Sequence, residues 1–351
     1  MVEKLLDVKD LTTQFKMDKG NLVAINHISF HINNEEVVGL VGESGSGKSV
    51  TSLSMLKLLP QNGEIISGEV LLNNEDILKY DKKQIRKIRG KDIAMIFQDP
   101  MSALNPVLRV GNQMMEPIML HLGYSKERAK EHAINMLKEV GIPAAEDVFN
   151  RYPHQLSGGM TQRVMIAMGL SSKPKVLIAD EPTTALDVTI QAQVLELMLE
   201  LKKTNKVGIL LITHDLGVVA EMCDRVIVMY CGRIVESAEV LELFENPLHP
   251  YTRGLIASVP KIGQSEEELH YIRGRVPDLS QLPKGCKFAP RCDYAIDKCL
   301  NEEPILRKLG EQREVRCHLV NERGDFIGSC IGRIKKCRKE IYCLQKTIWR
   351  N

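Results

Sequence analysis

Aromatic residues and net charge are both scarce in this 351-residue chain, and the two shortages limit what it can bind. Aromatic side chains make up 5% of the residues, and the formal net charge is +2. A protein that binds nucleic acid along a groove needs clustered basic residues with interleaved aromatics. The sequence shows no such pattern, so the composition argues against nucleic acid as a partner.

Long apolar runs are also missing. A helix that crosses a bilayer needs about 20 consecutive apolar residues, and no stretch of the sequence approaches that length. The opening residues, MVEKLLDVKD, lack the apolar core of a signal peptide. We therefore expect a cytoplasmic chain that could contact the membrane only through a partner.

A phosphate-binding motif is the first positive signal. Residues 37–41, VVGLV, predict a buried parallel strand. The next eight, GESGSGKS, fit the P-loop pattern G-x-x-x-x-G-K-[ST], in which backbone N–H groups and a helix N-terminus surround phosphate oxygens. Lys48 would reach the β- and γ-phosphates, and Ser49 would ligate Mg²⁺. The predicted nucleotide-binding residues are Gly42, Glu43, Ser44, Gly45, Ser46, Gly47, Lys48, Ser49 and Val50.

A second buried strand is predicted to supply the acidic residues of the site. The segment KVLIAD, residues 175–180, ends in Asp180, and Glu181 follows directly. An aspartate at such a strand end can hold Mg²⁺, while the next carboxylate is placed to orient and polarise the attacking water. The Asn-Lys-x-Asp motif that reads guanine does not occur, which argues against a GTPase.

A third motif lies between these two strands. The segment LSGGMTQR, residues 156–163, places a serine and two glycines before a predicted helix, and this makes a second anion-binding helix N-terminus. One nucleotide does not need two such sites, so we expect this loop to cap the γ-phosphate held by the P-loop of another subunit. The loop comprises Leu156, Ser157, Gly158, Gly159 and Met160.

Together these motifs resemble the ATP-binding cassette (ABC) ATPases over roughly residues 5–235. The resemblance implies an α/β P-loop NTPase fold with a RecA-like core, an antiparallel β edge and a helical subdomain near residues 100–170. It also implies that Mg²⁺ is held by Ser49, Gln98 and Asp180. The further roles it implies are adenine stacking for Phe15, the Q-loop for Gln98, the D-loop at the dimer seam for Asp187, and γ-phosphate contact for His214.

In such a cassette, catalysis would fall to Glu181, His214 and Gln98. The loop of residues 156–160 would be the signature loop of the cassette. Two cassettes would enclose two MgATP molecules, each between the P-loop of one cassette and the signature loop of the other. The helical subdomain would receive membrane subunits, and Met114, Met115 and Met119 could form an adaptable docking surface there or ordinary core.

Three other segments resemble the peptide/nickel branch of ABC importers. They are FQDPMSALNP, NPLHPYTRGLIASVP and a late group of cysteines, and HPYTRG has no catalytic reason to be present in a cassette. The resemblance implies an ATPase that powers import of di- or oligopeptides, or of nickel chelates. The implied partners are a second, related ATPase subunit, two transmembrane permease subunits and an extracytoplasmic binding protein. A soluble ABC ATPase that acts on nucleic acid or ribosomes is the alternative.

The late cysteines predict a cross-linked segment, because a short stretch of chain cannot bury much apolar area. Disulfides are disfavoured in the cytoplasm, and the spacing does not fit the short pairs of a zinc site. Four thiolates at wider intervals can hold an iron–sulfur cluster, and the importer resemblance implies a 4Fe–4S cluster. Zn²⁺ and unligated thiols remain alternatives. The residues concerned are Cys286, Cys292, Cys299 and Cys317.

These signals divide the chain into three predicted parts. Residues 1–258 would form the nucleotide-binding domain, residues 259–325 a small Cys-rich C-terminal domain of the oligopeptide-transporter type, and residues 326–351 a basic tail. The tail favours a solvated terminus over a helix on the membrane surface.

Overall fold

The computed structural model describes residues 4–18, 20–99, 103–183, 188–259, 271–310 and 312–328. Asp187, residues 260–270 and residues 329–351 of the predicted tail lie outside these ranges. Among the described helices, none has both the length and the apolar character needed to cross a membrane.

The described strands form two sheets. They are β1 (Lys4–Met17), β2 (Gly20–Asn33), β3 (Val37–Val41), β4 (Gly63–Leu72), β5 (Glu75–Asp76), β6 (Ile93–Ile96), β7 (Val176–Asp180), β8 (Gly208–Thr213), β9 (Arg225–Tyr230), β10 (Arg233–Glu239), β11 (Arg307–Lys308) and β12 (Glu314–Val315). The smaller sheet has the order β2-β1-β4-β5 and is antiparallel throughout. The larger sheet has the order β11-β12-β10-β9-β3-β8-β7-β6.

The centre of the larger sheet is parallel and fully buried. Strand β3 pairs in parallel with both β8 and β9, and β7 pairs in parallel with β8 and β6. Every residue of β3, β7, β8 and β9 is buried, as expected for parallel strands covered on both faces. The carboxyl ends of these strands therefore lie at one edge of the sheet, which is where ligands bind in α/β proteins.

The helices surround this sheet. They are α1 (Lys48–Met55), α2 (Lys82–Ile88), α3 (Val110–Leu122), α4 (Lys126–Glu139), α5 (Ala145–Asn150), α6 (Gly158–Leu170), α7 (Val188–Asn205), α8 (Leu216–Met222), α9 (Val240–Glu245), α10 (Pro250–Ala257) and α11 (Asp297–Asn301). Helices α3, α4, α5 and α6 pack on one another and form the predicted helical subdomain.

Local sequence sets the bounds of this helical subdomain. The Ser125 hydroxyl accepts the backbone N–H of Arg128 and so caps the start of α4. Helix α3 ends at Gly123, whose left-handed conformation suits glycine. Two of the three methionines singled out in the sequence, at positions 114 and 115, are buried core residues, whereas Met119 is 41% exposed.

The part of the chain that carries the four late cysteines, residues 284–317, is called the cysteine segment. It packs on the cassette, and a separate small Cys-rich domain is not supported. Strand β12 pairs with β10, so it extends the larger sheet of the cassette. The guanidinium of Arg313 donates to the fully buried carboxylate of Glu236 at 3.0 Å. Phe288 belongs to the same hydrophobic cluster as the parallel strands. The segment thus adds an edge to the existing fold.

Candidate active site

The P-loop runs from the end of β3 to the start of α1, and its backbone requires glycine at two crowded positions. The φ angles are 153° at Gly42 and 103° at Gly47, which side chains rarely adopt. A Cβ at Gly42 would lie 2.3 Å from the carbonyl oxygen of Met229, and one at Gly47 would lie 2.8 Å from Cγ2 of Ile25. The loop can therefore close into a phosphate cradle only with glycine at these points.

Lys48 lies along the cradle. Its ammonium group donates to the carbonyl oxygens of Gly42 at 2.7 Å and Glu43 at 3.1 Å. Burial lowers the pKa of Lys48, although nearby carboxylates oppose that shift. A buried ammonium held only by neutral carbonyls gains a stronger partner when a phosphate anion enters the loop.

Two predicted Mg²⁺ ligands meet beside the loop. The Ser49 hydroxyl donates to Oδ1 of Asp180 at 3.2 Å. Asp180 ends β7 and is buried, and this burial raises the pKa of its carboxyl, while the hydrogen bond from Ser49 opposes the shift. The two side chains offer only oxygen donors, which suit a hard cation such as Mg²⁺.

The carboxylate of Glu181 joins three loops at the end of the sheet. It accepts a hydrogen bond from Nε2 of Gln98 at 2.9 Å on one oxygen, and its other oxygen lies 3.2 Å from Nδ1 of His214. A carboxylate only accepts hydrogen bonds, so the proton of this contact belongs on Nδ1. The backbone N–H of Glu181 donates to Ile212 at the end of β8. The three residues predicted to be catalytic therefore meet at one point, the Glu181 carboxylate.

The signature loop presents an open helix N-terminus. The Ser157 hydroxyl caps α6 by accepting the backbone N–H of Met160 at 3.3 Å, and both Ser157 and Gly158 are exposed. Leu156 and Gly159 are half-buried. Within the part of the chain that the structure describes, no hydrogen bond joins this loop to the P-loop. The exposed Ser157 and Gly158 thus leave the start of this helix open to a partner.

Phe15 lies near the end of β1 and is half-buried. It pairs with Leu22 of β2 and Gly63 of β4, and a Cβ at Gly63 would lie 3.1 Å from Cε1 of the ring. Its predicted contact with adenine stays a prediction. The same holds for the D-loop role of Asp187, which lies outside the described residues.

The four late cysteines surround one cavity. Cys286, Cys292, Cys299 and Cys317 all line it, and it holds about 280 Å³ of space not filled by atoms, its mouth included. Burial raises the pKa of Cys292 and of Cys317 to about 12, so these thiols are neutral at pH 7 unless a cation binds them. Among the described residues, no group of three or more His, Cys, Asp or Glu side chains is placed to hold a single metal ion.

Two residues that the sequence reasoning missed contact the P-loop at Glu43. The Tyr251 hydroxyl accepts the backbone N–H of Glu43 at 2.8 Å. The guanidinium of Arg291 donates to both carboxylate oxygens of Glu43, at 2.6 and 3.0 Å. The available signals were HPYTRG, a motif without a catalytic explanation, and the arginine within GCKFAPRC.

Comparisons with known proteins agree with this geometry. Residues 25–184 match the ABC transporter family, and residues 235–299 match the C-terminal region of oligopeptide/dipeptide transporters. The oligopeptide transport ATP-binding protein AppD of Bacillus subtilis strain 168 is 52% identical over 321 residues, which cover 91% of this chain and 98% of that protein. The dipeptide transport ATP-binding protein DppD of Escherichia coli strain K12 is 46% identical over 314 residues, with 90% and 96% covered.

Solved structures share the cassette fold. MJ0796, a bacterial ABC transporter cassette solved as a dimer, aligns with a TM-score of 0.61 at 29% identity, over 67% of this chain and 98% of its own. A post-hydrolysis state of MJ0796 bound to ADP and Pi aligns with a TM-score of 0.60 at 28% identity, with the same coverage. The glycine cradle, the Ser49–Asp180 pair and the Glu181 network thus occur on a fold shared with an ATP-hydrolysing cassette. The chain belongs to the ABC transporter ATPase family, among the ATP-binding proteins of oligopeptide and dipeptide transport.

Proposed function

We propose that this chain is the ATP-hydrolysing subunit of an ABC importer for dipeptides or oligopeptides. The observation that carries the proposal is the contact of Gln98 and His214 with the Glu181 carboxylate, because it assembles the three predicted catalytic residues next to the P-loop and the Ser49–Asp180 pair. The peptide assignment is supported by the match of residues 235–299 and by the two relatives, whose names specify oligopeptide and dipeptide transport. Those names favour peptides over nickel chelates as cargo.

Each residue of the site has a separate role in ATP hydrolysis. Lys48 leaves the loop carbonyls to bind the β- and γ-phosphates, while Ser49 and Asp180 would hold Mg²⁺. When bound, Mg²⁺ neutralises charge on the phosphate oxygens. Glu181 orients a water molecule and takes its proton as the water oxygen bonds to the γ-phosphorus and the bond to ADP breaks. Gln98 and His214 hold the Glu181 carboxylate in position for that transfer.

The signature loop acts on the partner's nucleotide. The exposed N-terminus of α6 supplies backbone N–H groups and the Ser157 hydroxyl to a γ-phosphate held by a second cassette. Hydrolysis removes that bridge, and the pair of cassettes opens. The support is the exposure of the loop and the dimeric form of the similar MJ0796 cassette. The resemblance to peptide importers favours a related but different chain as the second cassette, with Asp187 at the seam.

The helical subdomain is the proposed contact with the membrane subunits. Its surface carries a groove that includes Met115, Met119 and Leu120, and Leu120 is 62% exposed. We propose that a segment of each of two permease subunits docks here, so the chain works as a peripheral protein on the cytoplasmic face of the membrane. An extracytoplasmic binding protein delivers the peptide to those permeases.

We propose that the three parts of the chain predicted from the sequence differ in function. Residues 1–258 form the motor, residues 259–325 form the Cys-rich C-terminal region, and residues 326–351 form a basic tail. We propose that the cysteine cavity holds a 4Fe–4S cluster, because all four late cysteines line it and four thiolates are the ligand set of such a cluster. Such a cluster would be structural or redox-sensing and would take no part in hydrolysis.

Cell fractionation tests the transport assignment against the soluble alternative. Membranes and ribosomes from cells expressing the tagged full-length chain are separated and washed with high salt. The proposal predicts that the chain stays with membrane fractions that contain permeases. Sedimentation with ribosomes after the same wash would favour the soluble ABC ATPase.

Metal analysis tests the cluster proposal separately. Iron, zinc and acid-labile sulfide are measured on full-length protein purified without oxygen, and about four irons and four sulfides per chain are expected for a 4Fe–4S cluster. Stoichiometric zinc, or folded and active protein without metal, would contradict the cluster but leave the transport assignment intact.

A further inference from the structure

Glu43 is the second residue of the P-loop, and three different groups fix it. Its backbone N–H donates to the Tyr251 hydroxyl, and its carbonyl accepts from Lys48. Its carboxylate forms a two-pronged ion pair with Arg291 at 2.6 and 3.0 Å. The residue that holds the resting P-loop lysine is therefore itself held by residues far along the chain.

The Arg291 side chain is rigidly placed. It is only 8% exposed, and its Nε donates to the carbonyl of Arg273 at 2.9 Å. A terminal nitrogen also donates to the Tyr230 hydroxyl at 3.3 Å. The hydrogen bonds that Arg291 donates to the Glu43 carboxylate raise the pKa of Arg291, so the guanidinium stays charged. A fixed planar guanidinium imposes its geometry on the carboxylate it pairs with.

This arginine comes from the cysteine segment and directly precedes Cys292. Phe288, from the same segment, lines the cysteine cavity and packs against Tyr230 and Tyr251, with ring centroids 5.3 and 5.4 Å apart. His249 lines that cavity too, two residues before Tyr251. One packed cluster therefore spans from the cysteine cavity to the P-loop.

Electrostatics explains why the P-loop needs this arginine. A carboxylate beside a phosphate site repels the polyanionic ligand unless a cation neutralises it. The Glu43 carboxylate is 30% exposed, so solvent screens part of that repulsion. An uncompensated carboxylate beside the loop should therefore lower the affinity for a bound anion by about tenfold, even with part of its charge screened.

We propose that Arg291 is a positioning residue of the ATP site: it neutralises and fixes Glu43, and through it the cysteine segment sets the affinity of the P-loop for nucleotide. The inference rests on the proposed ATP site. It also gives the HPYTRG and GCKFAPRC segments a common role. Tyr251 of the first binds the backbone of Glu43, and Arg291 of the second binds its side chain.

The test is nucleotide affinity in a double-mutant cycle. The dissociation constant for AMP-PNP, a slowly hydrolysed ATP analogue, is measured in the presence of Mg²⁺ by calorimetry on the full-length chain and its variants. Arg291→Met should weaken binding by about tenfold, because it leaves the carboxylate unpaired. Glu43→Gln removes the carboxylate together with its repulsion, so its effect on affinity should be smaller than that of Arg291→Met. The double variant should match Glu43→Gln and so rescue the loss.

Two controls separate charge from general damage. Lys284→Met removes a positive charge from an exposed position in the same segment and should leave affinity unchanged. Arg291→Lys keeps the charge but loses the two-pronged geometry, so its loss should be smaller than that of Arg291→Met. Raising the salt concentration should reduce the difference between Arg291→Met and the parent.

The outcomes are distinct. Equal affinity for Arg291→Met and the parent, or a double variant as weak as Arg291→Met alone, would overturn the inference. If Arg291→Met does not fold, Arg291→Lys replaces it in the cycle. The inference then requires that Arg291→Lys weakens nucleotide binding in the parent chain and has no further effect when it is combined with Glu43→Gln. A parent chain that does not bind AMP-PNP would instead contradict the proposed function.

Discussion

At the scale of single residues, the carboxylate of Glu181 links the loops that follow β6, β7 and β8. Its two oxygens contact Gln98 and His214, and its backbone is tied to the end of β8. Glu181 itself has a φ angle of 47°, which is unusual for a residue with a side chain. A conformation of this kind persists only when its surroundings hold it, and it is common at catalytic positions.

Replacing Glu181 by glutamine should separate binding from hydrolysis. The amide cannot take a proton from water, so the rate constant kcat should fall by at least about 100-fold. The P-loop is unchanged, so the dissociation constant for MgATP should stay within about threefold. Steady-state ATPase assays and nucleotide titrations on the full-length variant measure both quantities, and undiminished turnover would contradict the assigned role.

Gly42 and Gly45 make a matched pair for testing the geometry of the cradle. A Cβ at Gly42 would lie 2.3 Å from a backbone oxygen, whereas one at Gly45 meets nothing within 4 Å, and both positions have positive φ. We expect Gly42→Ala to lower the free energy of unfolding by roughly 3 kcal/mol and Gly45→Ala by about 1 kcal/mol. Urea unfolding measures both, and equal losses would show that the crowding at Gly42 is not important.

At the scale of elements, the parallel strand order places the active site. Strands β3, β7 and β8 are neighbours, so the loops that follow them meet at one edge of the sheet. The sequence predicted β3 and β7 as buried strands because apolar runs, glycines and acidic strand ends are local signals, but it did not predict the strand order. The helix after the P-loop and the capped helix after the signature serine were equally readable.

The non-local contacts could not be predicted in the same way. The pairing of β12 with β10 joins positions about 80 residues apart, and the Arg291–Glu43 pair spans 248 residues. No local pattern encodes which edge strand accepts a distant segment. The same limit applies to the cysteines, whose spacing predicted a common site but not a cavity shared with His249 and Phe288.

The docking of the cysteine segment can be tested through Arg313. Its partner Glu236 is fully buried, and burial raises the pKa of that carboxyl, which Arg313 opposes. Arg313→Met should cost roughly 3–5 kcal/mol in the free energy of unfolding, because it strands a buried charge. Lys308→Met, at an 80% exposed position with a partner at 4.0 Å, should cost less than about 1 kcal/mol. Similar losses for both variants in urea unfolding would contradict this docking.

At the scale of the whole molecule, the proposed function requires one chain to carry both halves of a nucleotide site shared by two cassettes. The P-loop and the Glu181 network form the first half, and the exposed signature helix forms the second. The segment with the cysteines packs behind the P-loop and contacts it at Glu43. Under the proposed function, the molecule meets another cassette at the nucleotide and permeases at the helical subdomain.

A signature variant should reveal the use of the site in trans. Ser157→Arg places a bulky cation at the open N-terminus of α6, so it should block closure of the two cassettes. Hydrolysis by the assembled transporter should fall by at least about tenfold, while the affinity of the isolated chain for nucleotide should not change. A loss of nucleotide affinity in the isolated chain would show that the loop serves its own P-loop instead.

The most direct test of the account is peptide uptake powered by this chain. Cells depleted of the chain are supplied with either the parent or Glu181→Gln, and accumulation of a radiolabelled dipeptide and of a labelled pentapeptide is measured. The account predicts that the parent restores uptake of at least one of them and that Glu181→Gln does not. Equal uptake with the two forms would contradict the claim that ATP hydrolysis at Glu181 drives peptide import.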